Sequence, residues 1–204
     1  MMRLGVFGGT FNPIHLGHTG LALGAAEALG LDKMLLIPAK IPPHKPAPDL
    51  IDGSHRLAMC LLAAESHPVL EVSDLELRRS QPSYTLTTLE QLRLLYPEAG
   101  LFLVVGGDML LSFDTWHRWR EVLALATLCA APRTPGQYQL LEQNRPRLER
   151  QGIPFVLLRH PVKEISSTEI RQRIRRGESL EGLVDDKVAR YIHRHRLYLG
   201  GVAE

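Results

Sequence analysis

The chain has 204 residues, of which 45% are hydrophobic and 23% charged, and its formal net charge is +2. This composition is typical of a globular protein, and so small a net charge does not favour a nucleic-acid-binding surface. No apolar run approaches the roughly 20 residues that a membrane-spanning helix needs.

Short apolar runs alternate with helical patterns along most of the chain. The runs predict strands near residues 3–7, 33–37, 69–72, 101–105, 126–130 and 155–158. The segments between them predict helices at 17–29, 54–66, 85–96, 116–125 and 138–151. Continuous apolar strands are typical of sheets buried on both faces, and strand–helix alternation favours right-handed parallel crossovers. The sequence thus predicts an α/β fold built on a Rossmann-like, doubly wound parallel sheet.

The remaining segments suggest a single domain, residues 1–204. Residues 166–204 have no strand pattern and predict a C-terminal helical cap on a core formed by residues 1–165. Residues 41–52 contain four prolines and predict an extended loop, which is either functional or a passive surface excursion.

The two cysteines, Cys60 and Cys129, lie in apolar contexts without a metal-binding or redox motif. Such residues are usually buried, reduced thiols, which fit a reducing compartment. No secretory signal is evident at the start of the sequence. We therefore expect a cytoplasmic protein that does not associate with membranes.

The most informative segment follows the first predicted strand. Residues 8–18 read Gly-Gly-Thr-Phe-Asn-Pro-Ile-His-Leu-Gly-His. Glycines let the backbone approach a ligand closely, and the N-terminus of a helix favours negative charge. His15 and His18, three positions apart at the start of a helix, face the same way. Each piece alone is usually a tight turn or a packed histidine, but their ordered combination predicts a phosphate site that carries two histidines.

Polar clusters also accompany the later predicted strands. They are His44-Lys45, Ser83-Tyr84-Thr85, Gly106-Gly107-Asp108 and Ser166-Ser167-Thr168. Because ligands of open α/β sheets bind outside the carboxyl ends of the strands, these clusters are expected to converge on one crevice. Ser166 and Glu169 also fit a helix capping box, and Arg171 one turn further on makes the same helix start a second anion site.

Other kinds of nucleotide or metal site are not favoured by the sequence. It contains neither a P-loop motif nor the Gly-x-Gly-x-x-Gly motif of dinucleotide-binding dehydrogenases. The two histidines lack a carboxylate or thiol partner within their motif, which argues against a zinc site. Phosphate chemistry is the interpretation that remains.

Two of these segments resemble motifs of the nucleotidylyltransferase superfamily. Residues 15–18 are similar to its His-x-Gly-His motif, and residues 165–171 are similar to its Ile-Ser-Ser-Thr-x-Ile-Arg motif. Asn12 stands where aspartate is also common, and either side chain is expected to cap the turn. Further segments resemble the bacterial nicotinate mononucleotide adenylyltransferases over essentially the whole chain: Pro42-Pro43-His44-Lys45, Ser83-Tyr84-Thr85, Gly106-Gly107-Asp108 and Trp116.

The resemblance implies that ATP and nicotinate mononucleotide are condensed to nicotinate adenine dinucleotide and pyrophosphate, a step of NAD biosynthesis. It implies catalytic roles for His15, His18 and Arg171. It implies further ATP contacts by Gly8, Gly9, Thr10, Phe11, Gly106, Asp108, Ser167 and Thr168. It implies mononucleotide contacts by His44, Lys45, Thr85 and Trp116. Arg133 is an additional candidate, because its segment Arg-Thr-Pro-Gly matches the family's Arg-Arg-Pro-Gly only in part.

Mg²⁺ is implied as a cofactor bound mainly through the ATP phosphates, without a dedicated protein metal site. Alternatives in the same chemistry are a different acceptor, such as nicotinamide mononucleotide or phosphopantetheine, and a cytidylyl donor in place of ATP. A regulatory module without catalysis and a fragment of a tRNA ligase are alternatives from other classes. The near-neutral charge argues against the ligase, and the presence of both histidines and of Arg171 argues against the regulatory module.

Overall fold

The structure is a computed structural model that describes residues 1–40, 49–159 and 163–200. Within these ranges six strands form one parallel sheet in the order β3-β2-β1-β4-β5-β6. The strands are β1 Arg3–Gly9, β2 Lys33–Pro38, β3 Leu70–Val72, β4 Gly100–Gly106, β5 Thr127–Ala131 and β6 Val156–Leu157. The helices are α1 Leu16–Leu29, α2 Gly53–Ala64, α3 Thr85–Leu95, α4 Gly107–Leu111, α5 Trp119–Leu125, α6 Pro135–Arg150, α7 Ser167–Arg175 and α8 Asp186–Arg194.

The strand order places a topological switch point between β1 and β4. From β1 the chain proceeds outwards through β2 to β3, and it then returns to the other side of β1 and proceeds through β4, β5 and β6. The two halves therefore wind in opposite directions from the pair β1–β4, which is where open α/β sheets bind their ligands. The predicted doubly wound parallel sheet is confirmed.

Alternating strand residues supply two hydrophobic cores, one on each face of the sheet. In β2, Met34 and Leu36 belong to one core, whereas Leu35 and Ile37 belong to the other. Helices α1, α2, α7 and α8 cover the first face, and α3, α5 and α6 cover the second. Because both faces are buried, the strands are apolar at successive positions, which is the pattern that the sequence shows. The predicted C-terminal helices α7 and α8 join the first face, and the division at residue 165 stays a prediction.

Two helices begin where the sequence pattern did not place them. The predicted helix 116–125 begins only at Trp119, because α4 and a 3₁₀ turn at Phe113–Thr115 follow β4 first. Helix α6 begins at Pro135 instead of residue 138, because the Thr134 side chain accepts a hydrogen bond from the backbone N–H of Gln137. Proline is favoured at the first helical position, where its missing N–H has no intrahelical partner.

Candidate active site

The turn that follows β1 positions His15 at the N-cap of α1. Its Nδ1 accepts a hydrogen bond of 3.3 Å from the backbone N–H of His18. A neutral imidazole that accepts at Nδ1 carries its proton on Nε2. His15 therefore stabilises the start of the helix with one ring nitrogen and keeps the other as a hydrogen-bond donor.

The rings of His15 and His18 are stacked, with centroids 3.6 Å apart and planes inclined by 22°. Gly17 allows this arrangement, since a Cβ atom there would lie 2.9 Å from the carbonyl oxygen of Lys163 and 3.1 Å from Nδ1 of His15. The buried ring of Phe11 meets His18 edge-on at 5.1 Å, so Phe11 supports the pair through its side chain. Nδ1 of His18 is buried and has no hydrogen-bond partner within the described ranges.

Both histidines are neutral at physiological pH. Burial, and to a smaller extent the positive charge of Arg133, lower the pKa of His15 to about 3. Burial also holds the pKa of His18 well below its ordinary value, with smaller effects from His15 and Arg133. Arg133, Lys163, Gly17 and the two histidines line one crevice together with Leu21 and Ile165. The site thus combines neutral donors with fixed positive charge, which suits a phosphate chain.

Helix α7 brings the second motif to the first one. The Ser167 hydroxyl donates to the carbonyl oxygen of Pro13 at 2.9 Å, and Nη1 of Arg171 donates to the carbonyl oxygen of Asn12 at 2.9 Å. Nη2 of Arg171 also contacts Oγ1 of Thr168 at 3.4 Å. These hydrogen bonds join residues that are more than 150 positions apart in sequence. The two motifs therefore form one continuous site.

Arg171 already faces a carboxylate. Its Nε lies 3.6 Å from Oδ2 of Asp49, and Arg175 pairs with Oδ1 of the same residue at 2.8 Å. The Arg171 side chain is only 15% exposed, so its charge is weakly screened by solvent.

The side chain of Asn12 links the turn to two other parts of the chain. Oδ1 of Asn12 accepts hydrogen bonds from the Ile51 backbone N–H and from the hydroxyl of Tyr198, at 3.4 and 2.9 Å. Its Nδ2 donates to the carbonyl oxygen of Asp49 at 2.9 Å. An ionised aspartate would keep the two accepted bonds but lose the donated one.

The predicted capping box at the start of α7 is half formed. The Ser166 side chain caps the helix by accepting from the Thr168 backbone N–H at 3.2 Å. Glu169 instead pairs with Nε of Arg173 at 3.1 Å, on the outer surface of the helix. The reciprocal half of the box is therefore replaced by an ion pair within the helix.

On the other side of the switch point, Asp108 lies in the first turn of α4. The amide of Gln137 donates to Oδ1 of Asp108 at 2.8 Å and accepts from the backbone N–H of Arg133 at 2.7 Å. Gln137 packs against Gly107, where a Cβ atom would come within 2.6 Å of its Cδ. Glycine at position 107 thus leaves the room that the bridging glutamine needs. Asp108 and Arg133 are positioned together, and the glutamine that links them is not part of either sequence motif.

The candidate mononucleotide residues Thr85 and Trp116 lie on adjacent segments. Thr85 begins α3, whose N-cap residue Tyr84 makes no side-chain capping bond. The Tyr84 ring contacts His117, with centroids 4.5 Å apart, and this contact joins the start of α3 to the segment after the 3₁₀ turn. Trp116 is partly buried against Phe113, with ring centroids 5.0 Å apart. His44 and Lys45 lie outside the described residues.

Three further observations concern metals, membranes and the cysteines. Among the described residues, no group of three or more histidine, cysteine, aspartate or glutamate side chains is arranged to hold a metal ion. None of the helices described is long and apolar enough to cross a membrane. Cys60 and Cys129 are buried free thiols, as the sequence predicts.

Comparison with known proteins identifies the class to which this fold and site belong. The family described as cytidylyltransferase-like matches residues 6–173, so the class is that of nucleotidyltransferases. A probable nicotinate-nucleotide adenylyltransferase of Symbiobacterium thermophilum is 38% identical over 98% of this chain and 97% of the relative. One of Carboxydothermus hydrogenoformans with the same name is 39% identical over 96% of this chain and 98% of the relative. The chain therefore belongs to the nicotinate-nucleotide adenylyltransferase family.

A solved structure agrees with the fold. The nicotinic acid mononucleotide adenylyltransferase of Plasmodium falciparum complexed with NaAD superposes with a TM-score of 0.79. The match covers 97% of this chain and 98% of that chain at 17% sequence identity. At so low an identity, the likeness establishes the architecture and leaves the chemistry to the sequence relatives and to the site.

Proposed function

We propose that this chain transfers the adenylyl group of ATP to the phosphate of nicotinate mononucleotide in NAD biosynthesis. A phosphate oxygen of the mononucleotide forms a bond to the α-phosphorus of ATP. The bond from that phosphorus to the bridging oxygen breaks, and pyrophosphate leaves with the electron pair. The observation that carries the proposal is the junction at the switch point. There the stacked pair His15–His18 contacts Phe11 of the glycine turn 8–11, and the cation Arg171 donates to Asn12 directly after that turn.

ATP would lie across the carboxyl ends of β1 and β4. The backbone of Gly8, Gly9, Thr10 and Phe11 would follow the nucleotide, and Gly106 and Asp108 would meet its ribose. Ser167, Thr168 and Arg171 would hold the triphosphate from the α7 side. Arg133 would add positive charge beside the histidines, in keeping with its effect on their pKa values.

The reaction needs charge stabilisation and alignment more than proton transfer. The attacking phosphate is already ionised at neutral pH, so no strong general base is required. Nε2–H of His15 would donate to a phosphate oxygen, and the ring of His18 would bind beside it. Donors fixed in advance stabilise the charge that develops on the transferring group without reorganising.

Mg²⁺ would enter as a partner of the ATP phosphates, because the described residues offer no carboxylate cluster to hold it directly. It would supply charge neutralisation for the β- and γ-phosphates. Asp108 is the first carboxylate in the chain after β4, but its Oδ1 already accepts a hydrogen bond from Gln137. The metal would therefore be held mainly through ATP and water.

The acceptor would lie between the start of α3 and Trp116. Because no side chain caps α3, the backbone N–H groups of its first turn are available to the carboxylate of nicotinate. Trp116 would contact the pyridine ring together with Thr85. His44 and Lys45 would meet the phosphate of the mononucleotide.

The test is pyrophosphate release by the purified protein with ATP and Mg²⁺, comparing nicotinate mononucleotide, nicotinamide mononucleotide and phosphopantetheine. We expect kcat/KM to be at least about 10-fold higher with nicotinate mononucleotide than with nicotinamide mononucleotide. A 10-fold difference corresponds to about 1.4 kcal/mol of binding free energy from one charged contact. Equal use of the two pyridine mononucleotides would contradict the carboxylate contact at α3. Release only with phosphopantetheine would overturn the acceptor assignment.

A further inference from the structure

Arg56 of α2 is a buried cation that the adenylyl transfer described above does not use. Arg56 is only 1% exposed to solvent. Nη1 donates to the carbonyl oxygens of Thr10 and Ala39, at 2.8 and 2.6 Å, and Nε donates to that of Ile51 at 3.2 Å. Within the described ranges, no carboxylate accepts a hydrogen bond from this guanidinium.

The carbonyl groups that Arg56 holds belong to three separate segments. Thr10 lies in the glycine turn after β1, Ala39 follows β2, and Ile51 precedes α2. One rigid guanidinium therefore fixes the turn proposed for ATP against both flanks of the segment between β2 and α2. In sequence, that segment carries His44 and Lys45.

We propose that Arg56 is a positioning residue, which holds the ATP turn at the separation from Ala39 and Ile51 that in-line transfer requires. This inference rests on the proposed function, because it assumes that one nucleotide is bound on each side of the clamp. Transfer between two bound nucleotides depends steeply on their alignment, and a misplacement of 1 Å can lower the rate by about 100-fold. A hydrogen-bonded clamp that spans both sides is the kind of contact that sets such an alignment.

Burying the Arg56 cation is itself unfavourable for the stability of the fold. Burial lowers the pKa of Arg56, which expresses the unfavourable transfer of its charge out of water. Well-packed apolar residues often replace buried charges with no loss of stability. The rigid fork of arginine is needed where three carbonyl oxygens must be held at fixed relative positions.

Arg93 provides a matched control in the same chain. Its guanidinium also donates to backbone carbonyl oxygens, those of Pro97 at 3.4 Å, Ala99 at 2.7 Å and Leu125 at 3.0 Å. These carbonyls lie before β4 and β5, at the amino ends of the strands and at the edge of the sheet opposite the site. Arg93 thus makes a clamp of the same chemistry that no substrate is expected to reach.

The experiment compares Arg56→Met, Arg56→Lys and Arg93→Met with the wild-type protein. For each, calorimetry gives the Tm and the affinity for ATP, and steady-state assays well below the lowest Tm give kcat and KM for both substrates. We expect kcat/KM to fall by about 10- to 100-fold in Arg56→Met. The fall in Arg56→Lys should be intermediate, because an ammonium group has no planar fork. The kcat/KM of Arg93→Met should stay within about 2-fold of wild type, even if its Tm falls as much as that of Arg56→Met.

Two results would overturn the proposal. One is that Arg56→Met and Arg56→Lys both keep the kinetic constants of the wild-type protein. If Arg56→Met does not fold, the kinetic constants of Arg56→Lys alone decide. The other is an equal loss of activity in Arg56→Met and Arg93→Met at matched loss of Tm, which would mean a structural role. If the wild-type protein releases no pyrophosphate with any acceptor, the proposed function fails. The affinity for ATP then decides on Arg56, since only the Arg56 variants should lose it.

Discussion

The ring of His15 lies against the ring of His18 while its Nδ1 accepts the backbone N–H of that same residue. One histidine therefore caps helix α1 and keeps a donor beside the crevice that Arg133 and Lys163 also line. The second histidine is held in place by the first. The spacing of the His-x-Gly-His motif follows from this geometry, because residues three apart meet in the first helical turn and the intervening glycine clears the space between them.

We expect His18→Ala to lower kcat by about 100- to 1,000-fold, the usual effect of removing one donor from a developing charge. The KM for nicotinate mononucleotide should change by less than about 3-fold, because the lost contact is to the transferring phosphate of ATP. Steady-state pyrophosphate release measures both constants. His193→Ala, on the exposed surface of α8, is the control and should behave as wild type. An unchanged kcat in His18→Ala would remove the catalytic role.

The two functions of His15 can be separated by substitution. Asparagine at this position can accept from the His18 N–H as an N-cap, but it cannot place a donor where Nε2 of the imidazole lies. We expect His15→Asn to keep the Tm of the wild-type protein and to lose kcat. His15→Ala should lose kcat as well and also about 1 kcal/mol of stability, the usual effect of losing a cap. Calorimetry and kinetics on both variants make the comparison, and an active His15→Asn would mean that capping is the whole role of the residue.

The lowered histidine pKa values predict how stability depends on pH. In the unfolded chain His15 takes up a proton near pH 6.5, whereas in the folded protein its pKa is about 3. The unfolded state therefore binds more protons between these values, so the free energy of unfolding falls as pH falls below 6.5 and is constant above it. His18 contributes in the same direction.

Thermal unfolding between pH 5 and pH 8 tests this relationship on the wild-type protein and on His15→Asn, with pH values chosen to span about 1.5 units on either side of the ordinary histidine pKa. The Tm of the wild type should fall towards the acid end, and the variant should show a weaker dependence because it lacks one of the buried rings. Equal slopes would show that His15 takes up its proton as readily when folded as when unfolded.

The sequence predicts those parts of the site that depend on local patterns. The strands are continuous apolar runs because both faces of the sheet are buried. The pattern therefore predicts where the strands lie and that they run parallel. The segments 8–18 and 165–171 carry dense local motifs, and the structure joins them through contacts such as that of Arg171 with Asn12. The order of the strands then fixes where the segments meet.

Residues whose role depends on distant partners could not be predicted in this way. Gln137 acts through Asp108, 29 positions earlier, and a glutamine near a helix start has no local pattern that indicates such a bridge. Arg56 resembles any arginine of an amphipathic helix until the folded chain places Thr10 and Ala39 beside it. The capping partner predicted for Glu169 was wrong because Arg173, one turn away, competes for the same carboxylate.

Gly107 tests whether the Gln137 bridge matters for ATP. A methyl group at position 107 would lie 2.6 Å from Cδ of Gln137, so it would displace the flexible end of that side chain and break its hydrogen bond to Asp108. We expect Gly107→Ala to raise the KM for ATP by about 5-fold, the equivalent of one hydrogen bond of about 1 kcal/mol, with little change in Tm.

Gly136→Ala is the matched control for this substitution, because a Cβ atom at position 136 meets only Oγ1 of Thr134, at 4.0 Å. It should leave the KM for ATP unchanged and raise the Tm slightly, since alanine is the better helix former. Gln137→Ala should reproduce the effect of Gly107→Ala, and the double variant should add little to either, because both changes remove the same contact. Additive effects in the double variant, measured by the same ATP titration, would mean that Gly107 acts on ATP by a route other than Gln137.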